Sequence, residues 1–208
     1  MRVTIRDVAR EAGVSDTTVS LALRPKSRIS DATRQRVLEA AQRLSYVPDR
    51  AAQRLRTGAS RALGFLVNDL TNPFYARMIR RAGEVARDRA YELTVGESRW
   101  DPARELTAAQ HMIEARVDGM LACLTERNTE TLQRFGQYGV PAVLVDTYPE
   151  GYSGAYVAND LIAAGRLAAA HLAEAGCRRL VMFSAQARGR RFSAMRRLEA
   201  GFAEGARA

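Results

Sequence analysis

Two cysteines in 208 residues are too few for a disulfide framework. Cys123 falls in an apolar run read as a strand and Cys177 at a turn, a placement that suits a reducing compartment. No apolar run reaches the length of a membrane span, and the N-terminus reads as a charged helix rather than a signal peptide, so a cytoplasmic protein with no membrane partner is expected. Histidine is equally sparse. His111 and His171 sit in helical stretches with no second ligand at metal spacing, so they read as structural and no metal site is expected. Glycine-rich phosphate loops, a nucleophile elbow and paired catalytic carboxylates are all missing. The expectation is no enzyme, no catalytic residue and no cofactor.

Cations are plentiful but unevenly spread. The net charge is +9, with 12 Lys and Arg against 6 Asp and Glu in residues 1–60. Residues 61–177 reverse the balance, 12 against 15, and residues 178–208 carry 8 against 2. A basic head suits phosphate contact, and an acidic middle argues against uniform wrapping by nucleic acid. The basic tail reads as a solvated helix face. With 47% hydrophobic residues the chain can bury a core in one or two domains.

The most organised stretch is TIRDVAREAGVSDTTVSLAL, residues 4–23. Thr4 caps a first helix, with Asp7 placed to complete a capping box, and Ile5, Val8, Ala9 and Ala12 form one apolar face. Gly13 ends it. Ser15 caps a second helix, and Val14 staples onto Val19. Val19, Ala22 and Leu23 point inward, while Asp16, Thr17, Ser20, Leu21 and Arg24 gather on the opposite face. A short capped helix with small polar residues outward fits a major groove about 12 Å wide. An ordinary helical hairpin reads the same way so far.

Arg24 to Arg28 form a basic loop, and Ser30 caps a third helix, Asp31 to Leu44, with an inward stripe of Val37, Leu38, Ala41 and Leu44. Thr33, Arg34 and Arg36 lie near its start, placed to hold phosphates. Asp49 opens a short fourth helix, Arg50 to Leu55, too short to be stable alone and so expected to form on a partner or DNA. From Ala62 the pattern changes. ALGFLV, ELTV, GMLACL, AVLV and LVMF are continuous apolar runs separated by helices at about 73–90, 102–115, 129–137 and 161–175. Trp100 precedes one of these and packs against it. Strands covered on both faces read this way, so a doubly wound parallel α/β sheet is expected behind the all-α helix-turn-helix head.

The stretches VTIRDVAREAGVS, TTVS, SDATRQRV, RLSYVP, RAAQRL and LGFLV cover the first 67 residues and resemble the lac-repressor (LacI/GalR) family of bacterial transcription regulators. Weaker echoes are NPFY at 72–75, RVDGMLA at 116–122, PAVLVD at 141–146 and HLAEAG at 171–176. The resemblance implies a head-piece at 1–47, a hinge helix and linker at 48–60, and a periplasmic-binding-protein-like effector and dimerisation core at 61–208. The core divides into a first lobe at about 61–160 and the start of a second at 161–208. It also implies a homodimer on a pseudo-palindromic double-stranded operator. Ser15 and Thr18 then stand near phosphates and Asp16 and Thr17 at base edges, with Thr4, Ser20, Leu21, Arg24, Ser30, Thr33, Arg50 and Arg56 as further expected DNA contacts. Leu55 matches the leucine that family dimers wedge into the minor groove. Leu21 departs from the usual polar or basic reader and offers only contact to a thymine methyl. Arg24 replaces a common asparagine, Asn159–Asp160 reverses the usual pair, Cys177 replaces a histidine, and Arg197 stands one residue early for an effector-binding arginine.

Asp69, Asn72, Pro73 and Phe74 follow the first core strand, where ligands bind in such sheets. Two readings fit. In one, Phe74 stacks on a sugar or base while Asp69 and Asp146 accept from hydroxyls; in the other, Asn72 is only a helix cap and Phe74 is core. The leading expectation is a DNA-binding repressor set by a small-molecule effector such as a sugar or nucleoside. The alternative is a soluble sugar-binding protein acting through the core alone. With some 45 residues beyond Asn159, and about 30 consumed by each βα unit, a fragment is expected that lacks half the cleft wall and tight effector binding.

Overall fold

The computed structural model describes residues 3–23, 28–47, 58–125, 129–149, 151–183 and 193–207. The chain separates into two compact units, Met1–Ser60 and Arg61–Ala208. The expected hinge helix, with Arg50, Leu55 and Arg56, and the loop residue Arg24 lie outside the described residues.

The first unit is three helices, α1 (Ile5–Ala12), α2 (Asp16–Ala22) and α3 (Asp31–Arg43). Each begins where a small polar side chain faces the first turn. The Thr4 backbone N–H and hydroxyl both donate to the Asp7 carboxylate, at 2.9 and 2.7 Å. Ser15 Oγ accepts from the Thr18 N–H at 3.1 Å, and Ser30 Oγ from the Thr33 N–H at 3.3 Å. Gly13 takes φ +63°, the left-handed conformation that lets the chain reverse after α1. Val8, Ala9, Ala12, Val19, Ala22, Val37, Ala40 and Ala41 form the core, with Val14, Leu23 and Leu44 packed on it.

Two positions depart from expectation. Ser20 is buried rather than outward, because it borders the inward arc of Val19 and Leu23 and its small side chain is covered. Leu38 is exposed and Ala40 is buried in its stead. Leu38 lies a full 100° round the helix from Val37, whereas Ala40, Ala41 and Leu44 follow Val37 at i+3, i+4 and i+7.

The second unit runs β1 (Ala62–Val67), α4 (Pro73–Asp88), β2 (Glu92–Glu97), α5 (Pro102–Glu114), β3 (Gly119–Ala122), α6 (Thr129–Gln137), β4 (Ala142–Val145), β5 (Tyr156–Val157), α7 (Leu161–Glu174) and α8 (Ser193–Gly205). Its five strands are parallel in the order β2-β1-β3-β4-β5. Register aligns Leu63 with both Leu93 and Gly119, Met120 with Ala142, and Leu144 with Tyr156. Both faces of the central strands β1 and β3 are covered, as their continuous apolar runs require, while β2 and β5 are largely exposed. Leu66, Ala122 and Leu144 pack with Met112 and Ile113 of α5 and Phe135 of α6. Phe65, Val67 and Cys123 pack with Tyr75 of α4, and Trp100 lies against them.

The expected strand at Leu180–Phe183 does not form, and Val181 and Phe183 are 72% and 95% exposed. A short apolar run becomes a strand only when it pairs, and no described strand lies beside this one. Helices α7 and α8 cross at glycines. A Cβ on Gly165 would strike the backbone of Leu198 and Phe202, and one on Gly201 the backbone of Ile162. Arg166 and Glu204 close the crossing with an ion pair at 2.6 Å.

Candidate nucleic-acid interface and a polar sheet edge

In the first unit, α2 carries Asp16, Thr17 and Leu21 exposed, with Leu21 at 37%. Thr17 and Leu21 stand one turn apart on one face. Ser15 and Thr18, one cap and one first-turn residue, share a hydroxyl–hydroxyl hydrogen bond of 2.9 Å. Ser30 donates to Thr33 in the same way, also at 2.9 Å. The Asp16 carboxylate faces Arg6 Nε at 3.7 Å, so the cation of α1 offsets the one acidic group at the start of α2. Both side chains are largely solvated, and such a pair contributes about 0–1 kcal/mol. Eight of the thirteen expected DNA-contact residues, Thr4, Ser15, Asp16, Thr17, Thr18, Leu21, Ser30 and Thr33, stand at the surface or half-buried. Ser20 does not, and the remaining four lie outside the described residues.

In the second unit, polar groups collect where the strands end. Asn68 follows β1 and is fully buried; Ser98 Oγ donates to its Oδ1 at 2.8 Å. Asp69 accepts from the N–H and hydroxyl of Thr71, which hold its carboxyl below the usual range, the hydroxyl most strongly. Asn72 Oδ1 accepts from the Phe74 N–H at 2.9 Å and caps α4, with Pro73 in the first turn. Phe74 is 40% exposed and meets Tyr75 edge-on at 5.4 Å, so it is not a core residue. Tyr75 is buried, and its hydroxyl donates to Asp146 Oδ2 at 3.0 Å. Burial first, and the Asp146 charge second, push the Tyr75 phenol well above its ordinary value. Asp146 itself sits just after β4 at φ +71°, an unusual conformation for a non-glycine residue. Glu97 accepts from Arg99 Nε at 2.7 Å and the Leu70 N–H at 2.9 Å, which lower its carboxyl, Arg99 first.

Asp69, Asn72 and Phe74 follow β1 and Asp146 follows β4, at the carboxyl ends of those strands, and Tyr75 touches both Phe74 and Asp146. Arg197 is differently engaged. Its guanidinium lies 3.9 Å over the Tyr148 ring, which stacks on Tyr156 at 4.0 Å. Sequence reasoning missed Asn68, Tyr75, Glu97 and Ser98. The signal for Tyr75 was its place one residue after Phe74 in NPFY, on the face of α4 that turns to the sheet. Among the described residues no group of three or more His, Cys, Asp and Glu is placed to hold a metal ion, and no helix is long and apolar enough to cross a membrane.

A helix-turn-helix-type unit of three helices followed by a doubly wound parallel sheet defines the structural class. Residues 4–49 match the family described as bacterial regulatory proteins, lacI family, and residues 63–187 match the periplasmic binding protein domain. The chain thus carries a lacI-family head and belongs, through its core, to the periplasmic binding protein domain family. It is 28% identical over 88% of its length to the HTH-type transcriptional repressor PurR of Mannheimia succiniciproducens, covering 55% of that protein. It is 31% identical over 85% of its length to the ribose operon repressor of Escherichia coli K12, covering 54% of that protein. The chain thus spans about half the length of the curated relatives it matches. The crystal structure of the lac repressor dimer bound to operator and the anti-inducer ONPF superposes with a TM-score of 0.80 at 24% identity. That likeness spans 99% of this chain and 62% of the other, and shows the fold.

Proposed function

We propose that the protein is a sequence-specific DNA-binding transcription regulator, a cytoplasmic repressor whose operator affinity is set by a small-molecule effector such as a sugar or nucleoside. The observation that carries this reading is the exposed face of α2, held at both ends by local caps in a unit that matches the lacI family. The names of its relatives, the HTH-type transcriptional repressor PurR and the ribose operon repressor, support the same reading. Ser15, Thr18, Ser30 and Thr33 offer hydroxyls to phosphates, while Asp16, Thr17 and Leu21 meet base edges. Two copies set their α2 helices in successive major grooves of a pseudo-palindrome, and Leu55 wedges into the minor groove between them. Effector hydroxyls are met at the sheet edge by Asp69, Asn72 and Asp146, with Phe74 as the stacking surface. Arg197 completes the site only if it leaves Tyr148.

A gel shift on duplex selected from a random pool tests the reading, run with the full chain and with residues 1–60 removed. The full chain retards the selected duplex and the shortened chain does not. Equal retardation by both would place DNA binding elsewhere. No retardation by either, with tight sugar binding in calorimetry, would favour a small-molecule-binding protein acting through the core alone.

A further inference from the structure

We infer that Thr17 and Leu21 together read the C5-methyl group of a pyrimidine in the major groove; the inference rests on the DNA-reading function proposed above. The two residues are i and i+4 on the seven-residue helix α2. The two side chains are therefore neighbours, one turn apart, on its exposed face. Leu21 is a large apolar side chain left 37% exposed beside a core that buries Val19 and Ala22 from the same helix. The fold has inward positions for apolar residues on α2, and Leu21 is not at one of them.

The chemistry available to this pair is narrow. Leu21 can neither donate nor accept a hydrogen bond, and Thr17 brings one hydroxyl beside its methyl. Guanine and adenine are marked in the major groove by polar atoms, which a leucine desolvates without repayment. Thymine carries a C5-methyl, and apolar contact with it is a recognised mode of base discrimination. The neighbouring Asp16 reinforces the exclusion of guanine, because a carboxylate facing O6 and N7 opposes acceptor to acceptor, while it suits the amino group of cytosine. Arg6 lies 3.7 Å from that carboxylate and limits its repulsion of nearby phosphates. The described part of the α2 reading face thus selects pyrimidine features on the strand it meets. The same methyl chemistry is carried by thymine and by 5-methylcytosine.

The test uses the full chain and the duplex it selects from a random pool. Each thymine of one half-site is replaced in turn by deoxyuridine, which removes only the C5-methyl, and the complexes are titrated by gel shift. One thymine is expected at which the replacement weakens binding about fourfold, the transfer value of a single buried methyl group. Leu21→Ala, an exposed substitution outside the core, should bind the thymine and deoxyuridine duplexes equally. Thr17→Ser, which keeps the hydroxyl and loses the methyl, should show a reduced difference. Cytosine at the same position should bind weakly and 5-methylcytosine should recover part of the loss, which separates methyl recognition from recognition of thymine's O4. A selected operator with a flat deoxyuridine series overturns this inference alone, as does a methyl effect that survives in Leu21→Ala. A pool that yields no enriched duplex overturns the DNA-reading function and this inference with it.

Discussion

The two units of the chain use polar side chains in different ways. In the first, Thr4, Ser15 and Ser30 bond to groups three residues away, all at the surface. The second unit has surface caps too, at Asn72, Asp101 and Asp160, but adds buried and part-buried bonds that cross the fold. Ser98 reaches Asn68 over 30 residues, Thr125 and Thr131 reach Glu105 over 20 and 26, and Tyr75 reaches Asp146 over 71. The difference is one of scale. A head of three short helices has a thin core, so each helix end is held by its own cap. A parallel sheet brings distant strand ends together, and the polar groups that gather there tie one crossover to the next.

The largest effect is expected from breaking the interior set. Glu105 is fully buried on α5 and accepts from the Thr125 N–H and hydroxyl and, at 2.8 Å, from the Thr131 hydroxyl. Glu105→Ala orphans donors in the interior, at about 1–3 kcal/mol for each group left unpaired. Urea denaturation with hydrogen exchange resolved by residue should show the loss throughout the sheet and none in residues 3–47. A loss no greater than that of a surface cap would put Glu105 outside the hydrogen-bonded core.

Gly201→Ala comes next. Its Cβ would meet the backbone of Ile162, which cannot swing aside, so overpacking should cost about 1–3 kcal/mol and part α7 from α8. The measured signature is faster exchange along residues 161–174 with the strands protected. Unchanged exchange there would mean the two helices are not in contact at that glycine.

Ser15→Ala should cost about 1 kcal/mol, as the Thr18 N–H loses its acceptor. Circular dichroism and exchange should place the loss in α2 and its neighbours alone. Spread of the effect into the sheet would contradict the independence of the two sets of bonds.

The smallest effect is acid-dependent. The Thr4 hydroxyl, then its N–H, hold the Asp7 carboxyl below its ordinary value of 3.8. A depressed carboxyl stabilises the folded state fully above the unfolded value and loses that contribution as pH falls through the folded one. The start of α1 should therefore loosen only below about pH 3.8, and Asp7→Asn should remove that acid limb in an NMR titration of the α1 amides.

What the sequence revealed follows the same division. Caps at Ser15, Ser30 and Asn72 were legible because donor and acceptor are two or three residues apart, though the cap at Asp160 was missed. The first four apolar runs became strands because continuous hydrophobicity is a local signature of a sheet covered on both sides. Long-range facts were not legible. Nothing local distinguishes Leu180–Phe183 from a strand; only the lack of a neighbouring described strand does. Asn68 and Ser98 belong together only because β1 and β2 pair in register, and Arg197 meets Tyr148 only once α8 is placed. Ser20 and Leu38 failed more narrowly, at positions beside a buried arc where one helical step decides which side chain is covered.

The division of labour between the units is tested most directly by residue-resolved hydrogen exchange on the full chain, free and bound to its pool-selected duplex. Protection is predicted to rise from Ser15 to Leu23 and stay unchanged from Asn68 to Tyr75 and at Asp146. Protection rising at the sheet edge, with none gained along α2, would contradict the assignment of DNA reading to the first unit.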